Sequence, residues 1–418
     1  MHINGKKGQL EKFISSNFVV EEKVNPSRIY EVNNNDISDK YVYLTSRDLR
    51  VEDNFALNFT KDNAKNFKVV HIKNNFENEG KNNFYLENLE LLKKNYENQN
   101  IYFEIIEKNL KDFLKELENK TLVIDFNPLT DNDLFNDFKG KIFEVDSHNI
   151  VPARIASDKQ EYSAFTLRKK IYEKIYEYLT EFPKYEFDKN RGYEILDDFI
   201  KNKLKNYPED KNNPDINGTS EMSRYFNLGF VSPQRAALEV IKSDVPLQSK
   251  EVYLEELIIR QELSDNFCLY NKNYKSFESA PDWAKRTLNF HIKDLRVHIF
   301  TKEQLEKAET YDDLWNATQK QLIREGKIHG YLRMFWAKKL LEWTNTPQEA
   351  VDIAVYLNDK YAYDGESPNG NTTAYFNVRN GVSNWFGKVT AKVTYLDESF
   401  EISTPFAVIG ASGSTNIA

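Results

Sequence analysis

Cysteine is nearly absent from this sequence: Cys268 is the one such residue among 418. No disulfide framework can form within the chain, and a cysteine-rich metal site is excluded. That usage fits a reducing compartment, and a cytoplasmic location is the expectation. Histidine is scarce too. His2, His71, His148, His291, His298 and His329 never pair at a spacing such as HExxH. His291 and His298 stand seven apart with no third ligand evident, so no metal is expected. No apolar run approaches the roughly 18 residues that a membrane span needs. Residues 1–30 lack the apolar stretch of a secretory signal. GxSxG, GxxxxGK and GxGxxG are all missing, so nothing points to a serine hydrolase, a P-loop NTPase or a dinucleotide site. The net charge of −8 does not suggest a nucleic-acid binder. Whole-chain charge is a poor guide, however, because a local basic face can bind phosphates on an acidic protein.

What is present is enough for two hydrophobic cores. Length alone favours two domains, and 40% of the residues are hydrophobic and 14% aromatic. The first third alternates. YVYL (41–44), FKVVHI (67–72), IYFEII (101–106), TLVIDF (121–126) and IFEVD (142–146) read as strands. The stretches 84–97 and 107–118 between them read as helices. Strands alternating with helices predict a doubly wound parallel sheet. The segment TSRDLRVEDN (45–54) follows the first of these strands, where such sheets bind ligands. It reads equally well as an ordinary charged loop. Residues 206–220, rich in Asn, Pro and Asp, read as a long loop. From 220 to 362 the pattern is helical, with helices predicted at 231–243, 250–270, 281–293, 302–308, 312–324, 327–345 and 346–362. After 371 that pattern stops, 388–396 alternates like a strand, and the last stretch reads as partly disordered. The expected organisation is an α/β domain over 1–150, a connection over 151–195, an all-α domain over 196–370 and a divergent segment over 371–418.

Four constellations carry candidate chemistry. Trp336 and Trp343, seven apart, share one helical face with Leu332 and Leu340. They are either a buried aromatic seam or part of an electron-hopping path. The segment 253–267 is amphipathic and acidic, with Glu255, Glu256, Glu262 and Asp265. Such acids usually form a solvated face, but one held at a dry pocket wall stays protonated and donates to a ligand carbonyl. TSEMSRYFNLG (219–229) brings hydroxyls to a helix start, which suits either a simple cap or phosphate binding. LNDKYAYDGESPNGN (357–371) is a turn or a polar lining for a heterocycle.

Together these segments resemble the photolyase/cryptochrome family, and within it the class II cyclobutane pyrimidine dimer photolyases. The resemblance runs from about residue 26 to about 396. It is carried by SRDLRVEDNFAL, FEVDSHNIVPARIASDKQEYSAFTLRKKI, EELIIRQELSDNFCLYN, APDWAKRTL, YDDLWNATQKQLIREGKIHGYLRMFWAKKLLEWT and AVYLNDKYAYDGESPNG. It implies an α/β domain followed by an all-α domain that holds FAD. By motif match, Tyr207, Thr219, Ser220, Glu221, Met222 and Ser223 would hold the FAD phosphates and adenosine side. Arg333 and Asp364, with Gly365 following, would pair beside the isoalloxazine, and Asn358 would face its N5. Trp315, Trp336 and Trp343 match the electron-transfer tryptophans of that class. Glu256 matches the glutamate that binds the pyrimidine pair, and Met334 would line the same cavity. The implied partner is ultraviolet-damaged DNA, with no membrane and a monomeric state. A deazaflavin-type antenna near 45–54 is open, as is none.

The sequence departs from that class at three places. Arg260 stands where some members carry a clamping tryptophan, and arginine also stacks on bases or contacts phosphate. Phe376 takes the place of a second clamping tryptophan. Arg224 and Asn227 replace a proline and a histidine. Gly330 and Met334 occupy positions where photolyases acting on (6-4) lesions carry histidines, which favours the cyclobutane dimer as substrate. Two rivals remain open at this point: a cryptochrome-like photoreceptor without repair, and a binding protein with a degenerate flavin fold.

Overall fold

The computed structural model describes residues 18–117, 119–183 and 186–372, and the backbone of 389–395 and 398–404. The described residues divide into two compact units. One is built from residues up to 205 together with 220–270, the other from 206–219 together with residues from 271 onward.

The first unit contains a six-stranded sheet. Its strands are β1 (Ile29–Glu31), β2 (Lys40–Leu44), β3 (Asn66–Ile72), β4 (Phe103–Ile106), β5 (Thr121–Asp125) and β6 (Ile142–Val145), in the order β1-β6-β5-β2-β3-β4. All neighbours run parallel except β1, which pairs antiparallel with β6. The doubly wound sheet expected from the alternation is therefore present. β5 and β6 are buried along their whole length, as strands covered on both faces are. Strand order reverses between β2 and β5, so the switch point lies at their carboxyl ends, beside residues 45–54.

Helices extend this unit. The predicted helix over 250–270 is observed as Leu247–Leu254, a π-helical stretch Glu255–Arg260 and Gln261–Tyr270. π-helical turns are rare and concentrate at functional sites. The sequence pattern missed β1 and the helix Phe55–Asn63. It also missed the short helical turn Tyr207–Asp210 inside the predicted long loop.

In the second unit, helices Asp282–Phe290, Lys302–Glu306, Asp313–Glu325, Gly330–Trp343 and Pro347–Tyr361 follow the predicted order. Their core gathers Leu305, Leu314, Trp315, Leu322, Leu332, Trp336, Leu340, Trp343, Ile353 and Leu357. The predicted strand near 388–396 appears as Val389–Tyr395. It pairs antiparallel with Glu398–Thr404, part of the stretch read from sequence as partly disordered. SFEIST alternates too, and a strand so close to its partner forms a hairpin. Among the described residues no helix is long and apolar enough to cross a membrane.

Candidate functional site

The charged loop at the switch point does not present its charges to solvent. Arg47, Asp48, Arg50, Glu52, Asp53 and Asn54 are all buried. The successive N–H groups of Ser46, Arg47 and Asp48 donate to one carboxylate oxygen of Asp125, at 2.7, 2.9 and 3.0 Å. Tyr43 donates to the other oxygen at 2.5 Å. Three convergent N–H groups form a nest suited to an anion; here the chain supplies the anion itself. Burial, with Asp48 beside it, pushes the Asp125 carboxyl above its ordinary range in spite of these donors.

The cations of the loop are matched in the same way. The Arg47 guanidinium makes a bidentate pair with Asp265 at 2.8 and 2.7 Å. Arg50 donates to Asp48 at 2.6 Å and to the carbonyls of Ser147, Gly229 and Asp53. The loop expected to be either a binding segment or a solvated one is a buried polar keystone. It ties β2 to β5 and to the helix Gln261–Tyr270.

In the helical unit, the three predicted tryptophans pack together and Arg333 meets Asp364. Trp315, Trp336 and Trp343 are 0%, 3% and 1% exposed. Trp336 stacks on Trp315 with centroids 6.2 Å apart and planes 4° apart, and Trp315 meets Trp343 edge-on at 5.5 Å. Each indole N–H is held: Trp336 by the Gln319 side chain, Trp315 by the Trp336 carbonyl and Trp343 by the Tyr311 hydroxyl. The helix that carries Trp336 also carries Arg333, which pairs with Asp364 at 3.1 Å. Asn358 is buried on the next helix, and its amide donates to Asp359 at 3.2 Å. A Cβ at Gly370 would sit 2.6 Å from that amide nitrogen, so any side chain there would push the Asn358 amide aside. A Cβ at Gly330, by contrast, would meet nothing within 4 Å, so open space flanks the start of the Arg333 helix. Met334 is half-buried, Tyr207 is buried, and Gly365 is buried after Asp364. Thr219 accepts a hydrogen bond from Lys327 at 3.0 Å.

The remaining predicted residues belong to the sheet-bearing unit, except one. Ser220, Glu221, Met222 and Ser223 lead into a short helix whose N-cap is Met222, without a side-chain cap. The hydroxyls of that segment therefore do not form the simple cap that its sequence allows. Glu221 holds a positive φ of 60°. Glu256 and Arg260 both lie on the π-helical stretch, Glu256 half-buried and Arg260 exposed. Glu255 on the same stretch pairs with Arg168 at 2.5 Å. Phe376 lies outside the described residues.

Comparison with known proteins gives a consistent answer. The family model for DNA photolyase matches residues 41–186. A deoxyribodipyrimidine photo-lyase of Potorous tridactylus is 37% identical, across 84% of this chain and 77% of its own length. The chain belongs to the DNA photolyase family. A second family member with the same name, from Arabidopsis thaliana, is 38% identical across 79% of each chain. Among solved structures, a bacterial class III photolyase from Agrobacterium tumefaciens superposes with a TM-score of 0.60. It covers 84% of this chain and 80% of its own, at 16% identity. An archaeal photolyase from Sulfolobus tokodaii with two FAD molecules gives 0.60 at 14% identity, over 82% and 83% of the two chains. At such identity these two structures speak to the photolyase fold.

Sequence reasoning missed three residues of the helical unit that hydrogen-bond to predicted ones. Gln319, Tyr311 and Lys327 all lie inside or beside the YDDLWNATQKQLIREGKIHGY motif. Gln319 follows Trp315 by four residues, one helical turn, and Tyr311 precedes it by four. Helical spacing alone could have marked Gln319 as a neighbour of the indole face.

Proposed function

We propose that this photolyase repairs cyclobutane pyrimidine dimers in DNA as a class II enzyme driven by light and FAD. The observation that carries the reading is the contiguous indole series Trp336, Trp315, Trp343. It is packed on the helices that also bear Arg333 and Asn358, in a chain whose relatives are named deoxyribodipyrimidine photo-lyase.

The residues present fit FAD. Lys327 with Thr219 supplies a cation and a hydroxyl for phosphate. Arg333 and Asp364 supply a largely buried ion pair for the polar edge of a ring system. Asn371 keeps a buried carbonyl oxygen with no hydrogen-bond partner among the described residues, next in sequence to Gly370, whose Cα faces the Asn358 amide. When bound, reduced FAD supplies under light the electron that opens the cyclobutane ring, and it takes that electron back.

The chain's own residues do the rest. Tyr207, Thr219, Lys327 and the 220–223 segment hold the phosphates and the adenosine side. Arg333 and Asp364 fix the ring edge, and the Asn358 amide sets the protonation at N5. The three indoles pass an electron inward when the resting ring is oxidised. The flipped dimer is met by Glu256, whose carboxyl hydrogen-bonds the pyrimidine pair. Met334 excludes water, and Arg260 stacks on a base or contacts phosphate. The α/β unit carries no anion-receiving nest of its own at the switch point, so an antenna chromophore would need a different foothold. A cytoplasmic monomer is the setting this reading carries.

The test is direct. The purified protein is reduced, given a dimer-containing oligonucleotide and illuminated with blue or near-ultraviolet light. Reversal of the dimer in light and none in darkness is expected. Bound DNA with no reversal would refute repair and leave a photoreceptor.

A further inference from the structure

The three indoles are almost wholly buried, so an electron hole that reaches them has no direct contact with water. Trp343 is the last of the series. Its edge meets three aromatic rings: Trp315, Phe300 at 5.3 Å and Tyr311 at 5.5 Å. A benzene ring is far harder to oxidise than an indole, which removes Phe300. A phenol that loses its proton as it loses its electron is not. The Trp343 N–H donates to the Tyr311 hydroxyl oxygen at 3.2 Å, which leaves the phenolic proton free to point away. Tyr311 is 53% exposed, so that proton has water to go to.

The surroundings push in the same direction. The Lys339 ammonium lies 5.2 Å from the Trp343 ring, where a cation disfavours an indole radical cation. Glu342 at 3.1 Å and Asp312 at 4.0 Å offset part of that charge. The Trp343 N–H faces a hydroxyl, a poor base, so the indole cannot readily rid itself of charge by losing its own proton.

We propose that Tyr311 is the terminal electron donor of the indole series and its outlet to solvent. This rests on the relay reading of Trp336, Trp315 and Trp343. The one-electron oxidant is the indole series itself, after it has given an electron to a light-excited oxidised isoalloxazine. The Tyr311 phenol gives one electron to oxidised Trp343, which returns to its neutral closed-shell form. The phenolic proton passes to water, and a neutral tyrosyl radical remains at the surface. The hole is thereby separated from the buried site and is open to external reductants.

Two experiments on the full chain read this step. In the first, FAD-loaded protein with oxidised flavin is illuminated without added reductant and freeze-trapped for electron paramagnetic resonance. A tyrosyl signal is expected in the wild type and its loss in Tyr311→Phe, with the oxidised species held on tryptophan. Tyr311→Trp should shift the signal from a phenoxyl to an indolyl type. In the second, azidyl radicals from pulse radiolysis oxidise tryptophan in the FAD-free chain, and decay of the indolyl absorbance into tyrosyl absorbance is followed. That decay should vanish in Tyr311→Phe. Failure of the first with success of the second would reject the flavin relay and keep the Trp343 to Tyr311 step. A tyrosyl radical that survives in Tyr311→Phe, or its absence from the wild type in the second experiment, would overturn the proposal. If Tyr311→Phe fails to fold, an unshifted phenoxyl signal in Tyr311→Trp would do the same.

Discussion

The two units use their buried polar groups differently. At the switch point of the sheet, the loop's N–H groups and cations are matched within the chain: three N–H groups close on Asp125, and Arg47 on Asp265, while Asp48 Oδ2 keeps no partner among the described residues. In the helical unit, Arg333 and Asp364 are paired, the Arg333 helix starts at Gly330 in open solvent, and Asn371 keeps a buried acceptor with no partner among the described residues. Closed matching is what a keystone needs. The buried acceptor left on Asn371, beside Gly370 and the Asn358 amide, is one that a ligand could fill, because buried polar groups are ordinarily satisfied and an exception calls for an explanation.

The contrast can be broken most sharply at Asp125. Asp125→Ala removes the acceptor of three N–H groups, two of them on buried residues, and of the Tyr43 and Thr45 hydroxyls. It should cost on the order of 3–5 kcal/mol, as loss of a buried charged hydrogen-bond partner does. Urea unfolding would read this, and a cost below about 1 kcal/mol, the range of an ordinary surface change, would make the nest incidental.

Glu52 sharpens the same side. Burial pushes its carboxyl up to about 7 from an ordinary 4.5, in spite of the Tyr193 hydroxyl at 2.7 Å. An acid raised in the folded state binds more protons there than in the unfolded chain. Its contribution is therefore fully present below pH 4.5 and is lost as pH rises to about 7. Relative to Glu52→Gln, the wild type should lose roughly 3 kcal/mol across that window. Unfolding curves of the two proteins that stay parallel from pH 4.5 to 7 would contradict it.

For the proposed relay and the proposed dimer contact, the effects should appear in photochemistry before stability. Trp336→Phe should slow photoreduction of oxidised flavin at least about tenfold, a barrier change of about 1.4 kcal/mol, and spare repair by pre-reduced protein. Unchanged photoreduction would remove Trp336 from the relay. Glu256→Ala should lower the repair yield several-fold, about the 1 kcal/mol of one hydrogen bond, with FAD still bound. Full yield would remove its role.

Most of the fold was legible, and the reason lies in particular segments. TLVID and YVYL are continuous apolar runs, and the helices from 281 to 361 keep the 3.6-residue period with clear starts such as Thr346-Pro347. The helix Phe55–Asn63 was missed because FALNFTKDN mixes polar and apolar residues without a clean stripe. The keystone was half read, because its partners are remote: Asp125 lies 78 residues from Arg47 and Asp265 lies 218. A run of charges looks solvated until such partners are known. The candidate site residues came from family motifs, and of those in the helical unit the structure brings the three tryptophans together and pairs Arg333 with Asp364. Tyr311 was invisible because its chemistry depends on Trp343, 32 residues away.

Flavin uptake tests the comparison between the units most directly. The FAD-stripped protein is titrated with FAD, and quenching of flavin fluorescence is followed in the wild type, Arg333→Ala and Arg47→Met. The account predicts saturable uptake in the wild type. It predicts affinity weaker by about ten- to a hundredfold in Arg333→Ala, the worth of a charge-assisted hydrogen bond. Affinity in Arg47→Met should be unchanged wherever that protein is folded, with the loss falling on stability instead. No uptake by the wild type, or full uptake by Arg333→Ala, would contradict it.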